Sequence, residues 1–268
     1  MSGNALVTVS NLSMQYKGVY KTLPWKRRPI PVLDGIDLDI GEREVVGLAG
    51  ESGCGKTTLC TILAGLTAPT GGSVQYRGRE VSSLGRRHRR LWKKDVQMVF
   101  QDPFNALNPA FTVRRNLVEP LRIHRMSTRT SEEGAARKAL EEVGLPQAAT
   151  YLDRYPHQLS GGQCQRVCLA RSLIVRPRFL IADEPVSMLD LPIRAAFLDL
   201  LGSMKTRRGL SVLLVSHNLA ELRYLADRIC IMHRGRIVES GPPGQLIETP
   251  RHPKTVELID AIPPDTFR

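Results

Sequence analysis

Residues 50–57 read Gly50-Glu51-Ser52-Gly53-Cys54-Gly55-Lys56-Thr57, which has the spacing GxxxxGK[ST]. That pattern is built to hold polyphosphate. Its glycines let successive backbone N–H groups turn inward on the anion, and a helix starting behind the loop adds its positive end. Lys56 supplies a point charge for the β- and γ-phosphates, and the Thr57 hydroxyl can ligand Mg²⁺. Cys54 contributes its backbone here, because no histidine stands nearby to activate its thiol.

Two further groups of residues can do chemistry. Phe179–Ala182 is an apolar run ending in Asp183-Glu184. Asp183 can bind Mg²⁺ directly or through water, and Glu184 can polarise an attacking water. An acidic pair after a strand is also an ordinary helix opening, so it takes its meaning from the loop. Leu159-Ser160-Gly161-Gly162-Gln163 starts a helix with a capping box, in which Ser160 caps the Gln163 N–H and Gln163 reaches back. Leu159 and Cys164 occupy the hydrophobic staple positions. Gly161 and Gly162, expected to be exposed, leave that helix N-terminus open to a second anion. A single phosphate loop has no need of a second anion site. Two chains facing each other do.

These groups need a scaffold of strands and crossover helices, and the pattern supplies one. Short apolar runs alternate with helical stretches, which predicts an α/β chain with a parallel sheet. Val45–Ala49 is predicted as a buried strand entering the phosphate loop, and Thr58–Leu66 as the helix leaving it, ending near Gly65. Ser73–Tyr76, Val96–Phe100, Phe179–Ala182 and Val212–Ser216 are further strand candidates. Residues 102 to 158 read as a helical insertion, with a helix at Thr130–Val143 stopped by Gly144-Leu145-Pro146. A helix is predicted near Ile193–Met204, and a hairpin around Arg234-Gly235.

Composition removes whole classes. The 268 residues carry 38 Lys+Arg against 26 Asp+Glu, a net charge of +12, and are 42% apolar, enough for a substantial core. No apolar run approaches the roughly 18 residues of a spanning helix, and the N-terminus does not resemble a secretory signal, so a soluble cytosolic chain is expected. Five cysteines (Cys54, Cys60, Cys164, Cys168, Cys230) give no disulfide framework. Cys164 and Cys168 are read as small residues packing one helix face. The charge is concentrated: residues 17–28 carry five basic groups and no acid, and residues 77–94 carry eight against Glu80. Such runs suit nucleic acid or anionic lipid, or are simply solvated faces.

Phosphate loop, LSGGQ, the Asp183-Glu184 pair, Ser187-Met188-Leu189-Asp190 and Ser216-His217 together resemble, in order and spacing, the ATP-binding subunits of ABC transporters. The resemblance covers nearly the whole chain. It implies a P-loop NTPase (RecA-like) core with an antiparallel β subdomain and an inserted helical subdomain. The core would span 1–100 and 165–240, the helical subdomain with the signature motif 101–164, and a short C-terminal extension 241–268. It implies ATP and Mg²⁺ as ligands. Gly50, Glu51, Ser52, Gly53, Cys54, Gly55, Lys56, Thr57 and Thr58 would contact ATP, Tyr16 would stack on adenine with Tyr20 as a substitute, and Gln101 would sense Mg²⁺ and the membrane subunit. Thr57, Gln101 and Asp183 would be the metal residues. Glu184 would be the general base and His217 the switch residue at the γ-phosphate. Ser160, Gly161, Gly162 and Gln163 would contact the nucleotide of a second chain stacked head to tail.

Val99–Pro109, Ala182–Ser187 and Pro250-Arg251-His252-Pro253 further resemble importers of di- and oligopeptides and of nickel; oligosaccharide importers share these phrases. The implied partners are a second, non-identical ATPase subunit, two integral membrane permease subunits and an extracytoplasmic binding protein, with no specific nucleic acid. The implied place is peripheral, on the cytoplasmic face of the cell membrane. Three departures stand out: Met188 where Ala is usual, Lys254 where an aromatic is usual, and no cysteine-bearing tail, so no iron–sulfur cluster is expected. A nickel or metallophore importer, and a soluble ABC ATPase serving nucleic acid or a non-transport complex, are the alternatives.

Overall fold

Thirteen residues of alternating character at the start of the chain form β1 (Ala5–Lys17), which pairs with β2 (Pro29–Gly41). The computed structural model describes residues 5–17 and 29–261, so Tyr20 and most of the basic stretch 17–28 lie outside the described residues. There follow β3 (Val45–Gly50), α1 (Lys56–Leu63), β4 (Gly71–Tyr76), β5 (Arg79–Glu80), α2 (Arg86–Asp95) and β6 (Val96–Val99). A helical stretch comes next: α3 (Pro103–Ala106), α4 (Val113–His124), α5 (Arg129–Glu142), α6 (Ala149–Leu152), a 3₁₀ turn at Pro156–Gln158, and α7 (Gly161–Leu173). The chain continues through β7 (Phe179–Asp183), α8 (Leu191–Arg208), β8 (Ser211–Val215), α9 (Leu219–Leu225), β9 (Arg228–His233), β10 (Arg236–Gly241), α10 (Pro243–Glu248) and α11 (Pro253–Asp260).

Packing divides the chain into two units, Met1–Arg89 with Leu213–Arg268, and Arg90–Val212. In the first unit, β2-β1-β4-β5 form an antiparallel sheet, with Val7 opposite Tyr76 and Val9 opposite Leu38. Its inner face buries Leu12, Ile36, Ile40 and Val74. The same unit carries a parallel pair, β3 with β9, in which Gly47 faces Ile229, and β9 turns back through Arg234-Gly235 into β10 as the expected hairpin. All six residues of β3 are buried, which explains its continuous apolar run. α9 lies close on β3: a Cβ on Gly47 would sit 3.2 Å from Leu222 Cβ and 3.3 Å from Ala226 Cβ.

In the second unit β6 runs parallel to β7, with Val96 opposite Phe179 and Val99 opposite Ala182. α7 packs on β6 and among α3, α4 and α5. Its Ser172 hydroxyl donates to the Met98 carbonyl at 3.3 Å, and its Cys168 thiol donates to the Pro103 carbonyl at 3.3 Å. Cys164 and Cys168 are both buried, as the packing reading of that helix face requires. The parallel strands with intervening helices are the predicted α/β pattern. Among the described residues no helix is long and apolar enough to cross a membrane.

Element ends differ from the pattern for local reasons. α1 starts two residues earlier and stops at Leu63, because Ala64 closes it and Gly65 takes φ 68°. α8 extends beyond Ile193–Met204 at both ends: Pro192 fits a first turn, and Gly209, at φ 64°, terminates it. Tyr16 lies inside β1, opposite Ile30, rather than after the strand, because β1 continues pairing to Lys17.

Candidate functional site

β3 delivers the phosphate loop, and close packing shapes it. A Cβ on Gly50 would overlap the Met232 carbonyl oxygen and lie 2.8 Å from Cys54 Sγ. Gly55 has φ 111°, and a Cβ there would come within 2.8 Å of Leu33 Cδ2 and of the Val32 carbonyl. No other residue fits at either position. The loop is tied to the β9–β10 turn by Gly235 N–H donating to the Cys54 carbonyl at 3.0 Å. The Lys56 ammonium is buried and donates to the Gly50 carbonyl at 2.7 Å and the Glu51 carbonyl at 2.8 Å. An ammonium has three N–H groups, so the two bonds hold it in place and one donor is left for a ligand. Gly55 offers α1 no side-chain cap, while Ser52, Gly53 and Thr57 are exposed and Thr58 is half-buried. Burial pushes the Cys54 thiol pKa up, against a nucleophilic role.

In the second unit β7 ends on the buried Asp183, and the next residue, Glu184, adopts φ 45°. The left-handed region costs a non-glycine residue about 1–2 kcal/mol, so its surroundings must hold it there. Ser187 does so, donating to the Glu184 carbonyl from its N–H at 3.2 Å and from its hydroxyl at 3.0 Å. The Glu184 carboxylate accepts a hydrogen bond from Gln101 Nε2 at 3.1 Å. Gln101 stands just ahead of α3, whose N-cap Asp102 accepts from Phe104 N–H at 2.9 Å and Asn105 N–H at 3.3 Å. The structure thus brings together Gln101 and Glu184, 83 positions apart.

The signature helix forms the expected capping box: Gln163 N–H donates to Ser160 Oγ at 3.3 Å, and Ser160 N–H donates to Gln163 Oε1 at 3.1 Å. Leu159 and Cys164 are buried at the staple positions. Ser160 is exposed, but Gly161 and Gly162 are half-buried rather than exposed. The reason is α8: a Cβ on Gly162 would meet Ile193 Cγ2 at 3.1 Å, whereas one on Gly161 meets nothing. Beside this helix start stand Met188, Leu191 and Ile193, at 62%, 76% and 38% exposure, an apolar trio open to solvent.

His217 is exposed at the end of β8. Its neighbour Ser216 is buried, donates to Glu221 Oε2 at 2.6 Å and accepts from Asn218 N–H at 3.0 Å, so the turn carrying His217 is clamped. Tyr16 is 44% exposed. Pattern reading missed Ser187 and Glu221, whose roles are to hold a turn; the only trace of either is a hydroxyl or carboxylate a few residues beyond a site residue.

The ABC transporter family model matches residues 33–187. A Brucella ovis protein named as a peptide import ATP-binding protein is 41% identical over 250 residues, covering 93% of this chain and 78% of that protein. The oligopeptide transport ATP-binding protein OppF of Lactococcus lactis subsp. lactis is 42% identical over 231 residues, covering 86% of this chain and 72% of that one. Among solved structures, the dimeric post-hydrolysis state of the ATP-binding cassette MJ0796 bound to ADP and Pi superposes with TM-score 0.78 at 27% identity, covering 88% of this chain and 98% of that one. The chain belongs to the ABC transporter family and is an ATPase of that family.

Proposed function

We propose that the chain is the ATP-hydrolysing subunit of an importer for di- or oligopeptides, peripheral on the cytoplasmic face of the cell membrane. Residues 1–100 and 165–240 serve as its nucleotide-binding core, 101–164 as the helical subdomain, and 241–268 as a C-terminal extension. The single observation that carries the reading is the Gln101–Glu184 hydrogen bond at 3.1 Å. It joins the candidate base to a segment whose Phe100 and Phe104 are 38% and 44% exposed, a surface on which a membrane subunit can act. Binding of a permease there would change the setting of Glu184, which is what coupling transport to hydrolysis demands.

At the nucleotide, Gly50–Thr58 wrap the phosphates, Lys56 neutralises them, and Tyr16 offers its ring to adenine. The hydroxyl of Thr57, the carboxylate of Asp183 and the amide oxygen of Gln101 are hard oxygen donors that suit Mg²⁺, which when bound would offset charge on the phosphates. Glu184 orients and deprotonates the attacking water, and His217 donates to the γ-phosphate. Ser160, Gly161, Gly162 and Gln163 present a capped helix N-terminus to the nucleotide of a second, non-identical ATPase subunit. The exposed Met188, Leu191 and Ile193 beside it support such pairing. Two permease subunits and an extracytoplasmic binding protein complete the assembly.

The test is uptake. Cells lacking the chain should lose import of labelled oligopeptide, regain it with the wild-type chain and not with Glu184→Gln. Peptide uptake untouched by the deletion would remove the substrate assignment, and a chain that never cosediments with membranes would remove the transporter role.

A further inference from the structure

The segment Pro250-Arg251-His252-Pro253 is anchored with more hydrogen bonds than a trailing peptide needs. Glu239 on β10 accepts from Arg251 N–H at 2.9 Å, His252 N–H at 3.0 Å and the Thr255 hydroxyl at 2.5 Å. His252 Nδ1 then caps α11, accepting from Lys254 N–H at 3.1 Å, and Thr255 is fully buried. This strap fixes the first turn of α11. What it delivers is the Lys254 ammonium, whose side chain is only 11% exposed, into an ion pair with Glu51, the second residue of the phosphate loop. Lys254 also pairs with Glu257 at 2.7 Å.

Glu51 is an awkward residue for its position. Its backbone carbonyl anchors Lys56, so its side chain cannot be far from any polyphosphate the loop accepts. A carboxylate there repels that anion. His233 Nδ1 lies 3.7 Å from the Glu51 carboxylate, and Arg234 also faces it, but the directly bonded cation is Lys254.

We propose that Lys254 is a positioning residue for nucleotide binding: it neutralises and holds back the Glu51 carboxylate so that the phosphate loop presents a net positive surface to ATP. The inference rests on the reading of residues 50–57 as the ATP site. Each partner's titration agrees in direction: Lys254 lowers the carboxyl pKa of Glu51, and Glu257 and Glu51 raise that of Lys254.

The test is a charge-compensation cycle on the purified chain, with MgATP and MgADP dissociation constants measured at low and at physiological salt. Lys254→Met should weaken MgATP binding about tenfold at low salt, the scale of one uncompensated charge near the surface, and the defect should shrink as salt screens it. MgADP, with less charge, should lose less. Lys254→Arg should bind as the wild type does. In a Glu51→Gln background, Lys254→Met should have little further effect, because no carboxylate remains to be neutralised. A purely structural role for α11 would give the same loss in both backgrounds, and that result overturns the proposal. So does unchanged binding by Lys254→Met when the wild type binds. A wild-type chain that binds no MgATP overturns instead the ATP site on which the inference stands.

Discussion

Around Lys56 the chain positions backbone; around Glu184 it positions side chains. Gly50 and Gly55 are packed so tightly that only glycine fits, and the Lys56 ammonium is locked onto two carbonyls. Glu184 and Gln101, by contrast, are polar side chains held to each other by one hydrogen bond on a left-handed turn. Ser160 stands exposed at a helix start with nothing of its own chain to act on. A group that must bind ATP in every state is built rigid. Groups that must answer a partner are built with few restraints, so that a small change in surroundings can move them.

The largest expected effects separate the two regions by kind. Lys56→Ala should abolish measurable MgATP binding, because the loop loses both its phosphate charge and the two bonds that close it. Glu184→Gln should bind MgATP normally while turnover in the assembled transporter falls by 10²–10⁴-fold, the usual contribution of one catalytic base. Turnover above roughly a tenth of wild type in Glu184→Gln would show that the base lies elsewhere.

Ser160→Arg sharpens the contrast further. The bulky cation stands at the start of α7, away in sequence from Lys56 and Thr57, so the chain should keep its own ATP. Hydrolysis should fail at the site built from the partner's phosphate loop, and ATP-dependent closure of the pair should be lost. Unchanged closure and hydrolysis would reduce the LSGGQ segment to a well-capped helix.

Two glycines test the same comparison at the level of stability. Gly55→Ala forces a Cβ against Leu33 and Val32 at positive φ, and should cost about 1–3 kcal/mol of stability, read as a lowered melting temperature. Gly161→Ala places its Cβ in open space on a helix and should stabilise the chain by about 0.5–1 kcal/mol. Its transport-coupled ATPase should nevertheless fall, since the bare helix start is there for a partner. A stabilised Gly161→Ala with full coupled activity would break the assignment of that surface.

What could be read from the residues follows the same division. The phosphate loop, its strand and the capping box were legible, because their spacing encodes backbone conformation directly. The bond from Gln101 to Glu184 was not, since it joins distant segments and neither residue advertises a partner. The φ of Glu184 was also hidden: nothing in Asp183-Glu184-Pro185 demands a left-handed residue. Gly162 was read as exposed because the pattern could not place Ile193 against it. Lys254 stood out only as a departure, and its contact with Glu51 depends on the Glu239 strap that folding assembles.

The smallest effect is expected from the most conspicuous charge. α2 carries Arg86, Arg87, Arg89 and Arg90 in a single turn and a half, and the first three are exposed. Arg89 reaches the Ser82 carbonyl at 3.4 Å and Arg90 the Ile123 carbonyl at 2.8 Å, so each has a modest structural bond and none is buried. Isolated surface charges of this kind contribute on the order of 0–1 kcal/mol. Replacing all four by Gln should therefore leave MgATP binding and ATPase activity within about twofold of wild type. Attachment to vesicles rich in anionic lipid should loosen somewhat, because about 1 kcal/mol per basic residue near such a surface is lost. Sequence-independent DNA binding at physiological salt, steep in its salt dependence and abolished by the same four changes, would instead make α2 a nucleic-acid surface. It would also turn the comparison around: the charge outside both nucleotide regions would then be what directs this ATPase to its partner.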